Sequence, residues 1–354
     1  MNTEYKQRLE KIEAVLDSWL PEKPDTLWLE KVFGSNIVAR VDPKLAATLS
    51  MPGWDLVKRG GKRWRPLLML LVAESINGEK GAEAALPLMP LVEFPHNASL
   101  IHDDIEDNSD ERRGKPAIHL LYGTDLAINS GSFMYFLPLA CLKAYRGDLA
   151  LKERLWTIWS DHMRALHLGQ AMDISWHQDF HSLPGLEEYD LMCRLKTGCL
   201  ARLAAVLGIN CAGAGDNKEL TERFGTAAEQ LGVGFQILDD VKNLDEGIPG
   251  KKRGDDIVEG KKSLPVLLYL HRFPEQKDFV ARCFTAARSG GAGVPEVEEM
   301  IGTLEKANII KEARERGLEY INKSREIFSS EEMSGFPLLE DGKRRLAGLV
   351  DLLR

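Results

Sequence analysis

The stretch HDDIEDNSDERRGKP, His102 to Pro116, sets six carboxylates (Asp103, Asp104, Glu106, Asp107, Asp110, Glu111) directly before three cations, Arg112, Arg113 and Lys115. Like charges crowded in this way repel one another unless a further partner offsets them. On a helix, positions i, i+1 and i+4 fall within about a 100° arc, so Asp103, Asp104 and Asp107 can aim their carboxylates into the same space. A second set, Asp239, Asp240 and Asn243 in QILDDVKNLD, repeats that geometry with an amide as its third oxygen, and Asp245 lies nearby. Hard divalent cations take oxygen ligands, and Mg²⁺ is usually held by one or two carboxylates together with waters and substrate phosphates. One acidic string alone is as easily a solvated helix face. Two such strings, each preceded by apolar residues that should be buried, favour the metal. An EF-hand is excluded, because the sixth position of such a loop needs Gly and neither Asn108 nor Glu111 supplies it.

A site that holds Mg²⁺ through carboxylates also calls for cations to grip the remaining oxygens of an anionic substrate. RGGKRWRP (Arg59 to Pro66) sets Lys62 and Arg65 beside a Gly-Gly turn, where the backbone can approach a ligand closely. Arg112 and Arg113 follow the first acidic set at once, Lys196 opens KTG, and Lys251 and Lys261 flank GKKRGDDIVEGKK. Each cation alone is more often a surface charge. Together with two acidic sets they imply a polyphosphate site.

Helical spacing dominates the segments that must hold these groups. EKIEAVLDSWL, RPLLMLLVAESI, LPLMPLVEFPHNASLIHDDIED, SGSFMYFLPLACLKAY, EEYDLMCRLKTGCLARLAAVLG and TERFGTAAEQLGVGFQILDDVKNL all carry it, whereas runs alternating with period two are hard to find. Gly60-Gly61, Gly213 to Asn217, Glu246 to Gly254 and Ser289 to Gly293 read as turns. The expectation is an all-α bundle, one domain over residues 1–354, because the motifs spread along the chain without a shift in composition. An apolar content of 44% with 28% charged residues describes an ordinary globular protein. The longest apolar runs, such as LLMLLVA, fall short of the ~20 residues that span a bilayer. Early acids in MNTEYKQRLEKIEAVLDSW resemble neither a secretory signal nor a transit peptide, so the expected location is the cytoplasm. Cys141, Cys193, Cys199, Cys211 and Cys283 are odd in number and scattered, which suits small buried apolar residues better than disulfides or a zinc site. A net charge of −8 without a basic stripe argues against nucleic acid as a partner.

GGKRWRP, HNASLIHDDIEDNSDERRGKP, GQAMD, KTG, GFQILDDVKNLD and GKKRGDDIVEGKKSLP, in this order from about Gly60 to Pro265, closely resemble the trans-isoprenyl diphosphate synthase (polyprenyl synthetase) family. That resemblance implies a Mg²⁺-dependent prenyltransferase with an isoprenoid synthase fold, a central apolar cavity and a homodimeric assembly. By the same resemblance Asp103, Asp104, Asp107, Asp239 and Asp240, with Asn243, would hold two or three Mg²⁺ ions that bridge the diphosphate of an allylic prenyl substrate across one cleft. Arg112, Lys196 and Lys251 would hold that diphosphate, with Lys261 as a helper, and Lys62, Arg65, His96 and Arg113 would hold isopentenyl diphosphate. Thr197, Gln170, Asp173 and Gln236 match polar positions of the pocket. The second acidic motif departs from the family's frequent DDxxD by ending in Asn243, which offers an oxygen but no charge. The DDxxN ending together with LHLGQAMDISW resembles the geranylgeranyl-producing branch.

Product length should follow from how far a prenyl tail descends along the helix of Asp103, where one turn is about 5.4 Å. Ala98 and Ser99, the first turn below, are small where members that stop at C15 carry an aromatic. Phe94, and Phe133 from SGSFMYF, would form a floor near C20, and Pro95 should kink the helix. A class I terpene cyclase shares the all-α fold and one metal motif, but it has no need of the grip at Lys62, Arg65, His96 and Arg113. A non-catalytic subunit of a heteromeric synthase would be expected to lose acids or their basic partners.

Overall fold

The structure, a computed structural model, describes residues 3–38, 40–245, 253–330 and 338–353. It is built from α-helices, and among the described residues the sole β-structure is one short antiparallel hairpin. The chain forms two compact units.

The first unit takes residues 1–163, 203–222 and 331–349. It begins with α1 (Thr3–Trp19), α2 (Thr26–Phe33), α3 (Ser35–Val38) and α4 (Pro43–Lys58). Local rules start these helices: the Asp25 carboxylate accepts from Trp28 N at 2.7 Å, and Asp42 accepts from Lys44 N at 2.9 Å just ahead of Pro43. After the Gly60-Gly61 turn, both of whose glycines have positive φ, α5 (Trp64–Ala85) and α6 (Pro90–Glu106) form the centre of the unit. α5 is broken at Asn77-Gly78, where Gly78 has φ 57°; its first part, up to Ile76, is nearly continuous in buried Leu, Met and Val, as suits a helix surrounded on all sides. α6 runs on through Pro95 as one helix. Beyond it lie the hairpin β1 (Glu111–Arg112) and β2 (Lys115–Pro116), then α7 (Ile118–Tyr122) and α8 (Thr124–Ala144). Two glycines let these helices approach closely. A Cβ on Gly131 of α8 would lie 2.7 Å from the ring of His102 on α6, and Gly53 N of α4 donates to Ser130 Oγ of α8 at 3.1 Å.

The second unit takes residues 164–202, 223–330 and 350–354. It contains α9 (Leu149–Gln178) from residue 164 on, α10 (Leu186–Cys193), the π-helical turn Arg194–Gly198 and the first residues of α11 (Cys199–Cys211), whose part from residue 203 on belongs to the first unit. α12 (Lys218–Asp245) supplies Val233, Ile237, Val241 and Leu244 to a core shared with α13 (Asp255–Glu259), α14 (Leu264–Arg272), α15 (Lys277–Gly290), α16 (Pro295–Lys306) and α17 (Ile309–Ser329). α18 (Glu340–Leu353) closes the chain. All five cysteines are buried, as their scatter suggested, and none is joined in a disulfide. No described helix is long and apolar enough to cross a membrane.

Candidate active site

In the first unit, α6 sorts its polar residues onto two faces. At about 100° per residue, His96, Ser99, Asp103 and Asp107 share one face, while Glu93, Asn97 and Asp104 form a second stripe. That second stripe is buried, and each of its members receives one arginine. Arg63 pairs with Glu93 at 2.9 Å, and with Glu13 at 2.6 Å. Arg113 donates to Asn97 Oδ1 at 3.1 Å, while Asn97 Nδ2 donates to Glu93 Oε1 at 2.9 Å. Arg112 sends Nε and Nη2 to Asp104 Oδ1, at 2.8 and 2.5 Å.

Asp104 is fully buried, with its Oδ1 accepting both bonds from Arg112. Asp103 and Asp107 are only partly buried, and they keep one turn's spacing on the other face. The three carboxylates of the expected trident therefore differ in surroundings: Asp103 and Asp107 are half-buried, and Asp104 is enclosed against Arg112. Burial is the physical reason, since an enclosed carboxylate needs a protein partner.

The arginines come from short, unusual backbone. Arg63 starts α5 with φ 50°, and Arg65 lies beside Trp64 with its guanidinium carbon 4.4 Å from the ring centre. Lys62 is exposed next to them. Arg113 (φ 53°) and Gly114 (φ 76°) turn the hairpin, as a two-residue primed turn requires. Burial holds the pKa of His96 well below its ordinary 6.5, helped by Arg65, Arg113, Arg63 and Arg112, so this histidine is neutral at pH 7. Burial likewise brings Arg113 down to about 10, opposed by Glu93 and reinforced by Arg63, Arg112 and Arg59. So much positive charge around one neutral imidazole fits an anion with several oxygens.

In the second unit, the π-helical turn lifts Lys196 and Thr197 out of a regular ladder. Lys196 pairs with Asp173 of α9 at 2.6 Å, and Thr197 Oγ1 donates to Gln236 Oε1 at 2.9 Å. Gln236 Nε2 donates in turn to Asp240 Oδ1 at 2.8 Å, and Tyr189 OH donates to Asp240 Oδ2 at 3.0 Å. Both oxygens of Asp240 thus already accept from the protein, while Asp239, one residue earlier, is half-buried. Burial, then Asp256, raises the pKa of Asp240, the behaviour of a carboxylate group short of positive charge.

Asn243 departs from expectation. It is fully buried, its Oδ1 accepts from Asp256 N at 3.2 Å, and its own carbonyl accepts from Gly254 N at 3.0 Å. Its amide oxygen thus meets the start of α13. Lys261 pairs with Asp256 at 3.8 Å and with Glu259, Gln170 is half-buried on α9, and Lys251 lies outside the described residues.

For product length, Ala98 and Phe94 are fully buried on α6, whereas Ser99 is half-buried one turn before Asp103 and donates to His96 O at 2.8 Å. Phe133 stacks on Phe33 of α2, with ring centres 5.9 Å apart, and meets Trp28 edge-on at 6.3 Å. Sequence reasoning missed Glu93, Asn97 and Tyr189. The signal for the first two was a charged and an amide residue one turn apart inside the apolar run LPLMPLVEFPHNASLI.

Hard oxygen donors on α6 and α12, with arginines and lysines gathered near each set, define an all-helical enzyme that handles diphosphates. The sequence model of the polyprenyl synthetase family matches residues 46–301. The short chain isoprenyl diphosphate synthase of Methanocaldococcus jannaschii is 37% identical over 254 residues, which cover 70% of this chain and 75% of that protein. The geranylgeranyl diphosphate synthase of Methanosarcina mazei is 30% identical over 300 residues, covering 82% and 88%. Among solved structures, the geranylgeranyl pyrophosphate synthetase from Pyrococcus horikoshii Ot3 superposes with a TM-score of 0.81 at 26% identity, covering 99% of this chain and 96% of the other. The chain belongs to the polyprenyl synthetase family; it has the isoprenoid synthase fold and is a trans-prenyltransferase that elongates prenyl diphosphates.

Proposed function

We propose that the protein condenses isopentenyl diphosphate head-to-tail with an allylic prenyl diphosphate, releases diphosphate, and makes geranylgeranyl diphosphate (C20) or a somewhat longer product. The observation that carries this reading is the gathering of Arg63, Arg65, Arg112 and Arg113 about neutral His96, on the helix whose accessible face bears Asp103 and Asp107. A cyclase of a single diphosphate has no use for that second grip. Both units are taken to serve one synthase domain, since the family match runs through residues of each.

Asp103, Asp107 and Asp239 are the carboxylates best suited to Mg²⁺: hard oxygens on half-buried side chains. Bound Mg²⁺ supplies charge stabilisation to a departing diphosphate. Asp104 and Asp240 orient Arg112 and Gln236 beside those carboxylates. Arg112, Lys196 and Lys261, with Lys251, hold the allylic diphosphate, while Lys62, Arg65, His96 and Arg113 hold isopentenyl diphosphate. Positive charge aimed at the leaving group in this way is the largest contribution in reactions of this kind. The C1–O bond of the allylic substrate breaks, the double bond of isopentenyl diphosphate attacks C1, and a proton passes to the released diphosphate. Thr197 and Gln236 keep the Lys196 turn in register. Small Ala98 and Ser99 admit a tail longer than C15, with Phe94 and Phe133 as the floor. A homodimer in the cytoplasm is the assembly and location this reading carries.

The test is to incubate the purified chain alone with Mg²⁺, isopentenyl diphosphate and C5, C10 or C15 allylic starters, with products read by mass spectrometry. C20 or longer prenyl diphosphates are expected. Cyclic hydrocarbon from one substrate would favour a cyclase, and elongation only after adding a second protein would favour a subunit.

A further inference from the structure

We infer that Arg59 is a positioning residue for both substrates, acting through the hairpin that carries Arg112 and Arg113. A hairpin with two residues in each strand has no stability of its own, so its place must be set from outside. Arg59, at the end of α4, does this from a fully enclosed position. Its Nη1 donates to Arg112 O at 3.0 Å, to Pro116 O at 2.9 Å and to Lys115 O at 3.5 Å, which covers the main chain on both sides of the turn. Its other edge is fixed by Asp55, with Nε to Oδ1 at 3.0 Å and Nη2 to Oδ2 at 3.2 Å. Asp55 is itself held by Tyr122 OH at 3.1 Å.

The planar fork is what the arrangement requires, because one edge grips a carboxylate while the opposite nitrogen reaches carbonyls; a lysine ammonium cannot span both. Arg113 adds a second tie, donating to Leu56 O of the same helix at 3.0 Å. Without Arg59 the hairpin would still keep the side-chain ties of Arg112 and Arg113, the two groups the substrates need, and a Lys115–Asp55 ion pair at 4.0 Å on an exposed lysine. Their donors would then move with the strand that carries them. Such misplacement is costly, because about 1 Å at a gripping group can remove on the order of 100-fold in rate.

This inference rests on the proposal that Arg112 and Arg113 bind the diphosphates, and its test separates the two. Steady-state kinetics of the full chain would be compared for Arg59→Leu, Asp55→Asn, the double variant Arg112→Ala with Arg113→Ala, and the triple variant that adds Arg59→Leu. Circular dichroism would verify the fold of each. Arg59→Leu is expected to raise KM for both diphosphates by roughly 10- to 100-fold with a smaller change in kcat. In the triple variant it should add little, because it acts through groups already removed. Asp55→Asn should give the same effect in weaker form, and takes the place of Arg59→Leu if that protein does not fold. Unchanged KM values, or losses that multiply in the triple variant, would overturn the inference while leaving the diphosphate reading intact. Unchanged KM values in the Arg112→Ala with Arg113→Ala protein would overturn both.

Discussion

The acid-rich stretch after His102 is stabilised residue by residue. Asp104 is enclosed against Arg112, and Asp103 and Asp107 are half-buried one turn apart. Sequence spacing found all three but could not rank them, because burial depends on what packs against α6. His96 carries a pH signature. Its pKa is depressed in the folded state, so the folded chain binds fewer protons than the unfolded chain, and stability must fall as the pH drops through about 6.5. Denaturant midpoints of the native protein and of His96→Gln, measured at about pH 7.5 and about pH 5.5, should show the larger acid loss in the native protein. Equal losses would contradict the depressed value. Product length is also decided at single residues. Ala98→Phe and Ser99→Phe are each expected to shift the main product towards C15. Unchanged products with a lowered Tm would make these positions ordinary core, where overpacking costs about 1–3 kcal/mol.

At the level of elements, the π-helical turn is the piece most sensitive to its neighbours. A Cβ on Gly169 of α9 would fall 2.7 Å from the Leu195 carbonyl carbon and closer still to Lys196 N, and one on Gly232 of α12 would fall 2.8 Å from Gly198 Cα. Glycine is required because the two helices leave no room for a methyl group beside the turn. Gly169→Ala should therefore displace Lys196 and Thr197 and lower kcat/KM for the allylic substrate by about 100-fold, with circular dichroism still helical. Near-native kinetics would show that the turn tolerates the shift. Helical spacing made the long elements legible, α5, α6 and α12 above all. The π-turn was not, since Thr197 and Gly198 weaken any regular helix without specifying a π-turn. Pro95 lies inside α6, which continues on both sides of it with Phe94, Ala98 and Ile101 fully buried.

For the whole molecule, fold class and reaction class were readable from ordered motifs, because each motif couples a residue type to a chemical need: oxygens for Mg²⁺, arginines for phosphate. What remained hidden were contacts between segments distant in sequence, such as Arg63 with Glu93 and Glu13, or Arg59 with the hairpin. Asn243 belongs with these, since its Oδ1 accepts from Asp256 N, thirteen residues on. The central claim is that the accessible carboxylates act through Mg²⁺ on an allylic diphosphate. Its most direct test is mass-spectrometric measurement of chain elongation by the native protein, by Asp103→Ala and by Asp239→Ala, each with Mg²⁺ and with chelator. The account predicts C20 or longer product from the native protein with Mg²⁺ alone, and a loss of about 10³-fold or more in either folded variant. Elongation that persists in chelator, or in both variants at near-native rate, would contradict it.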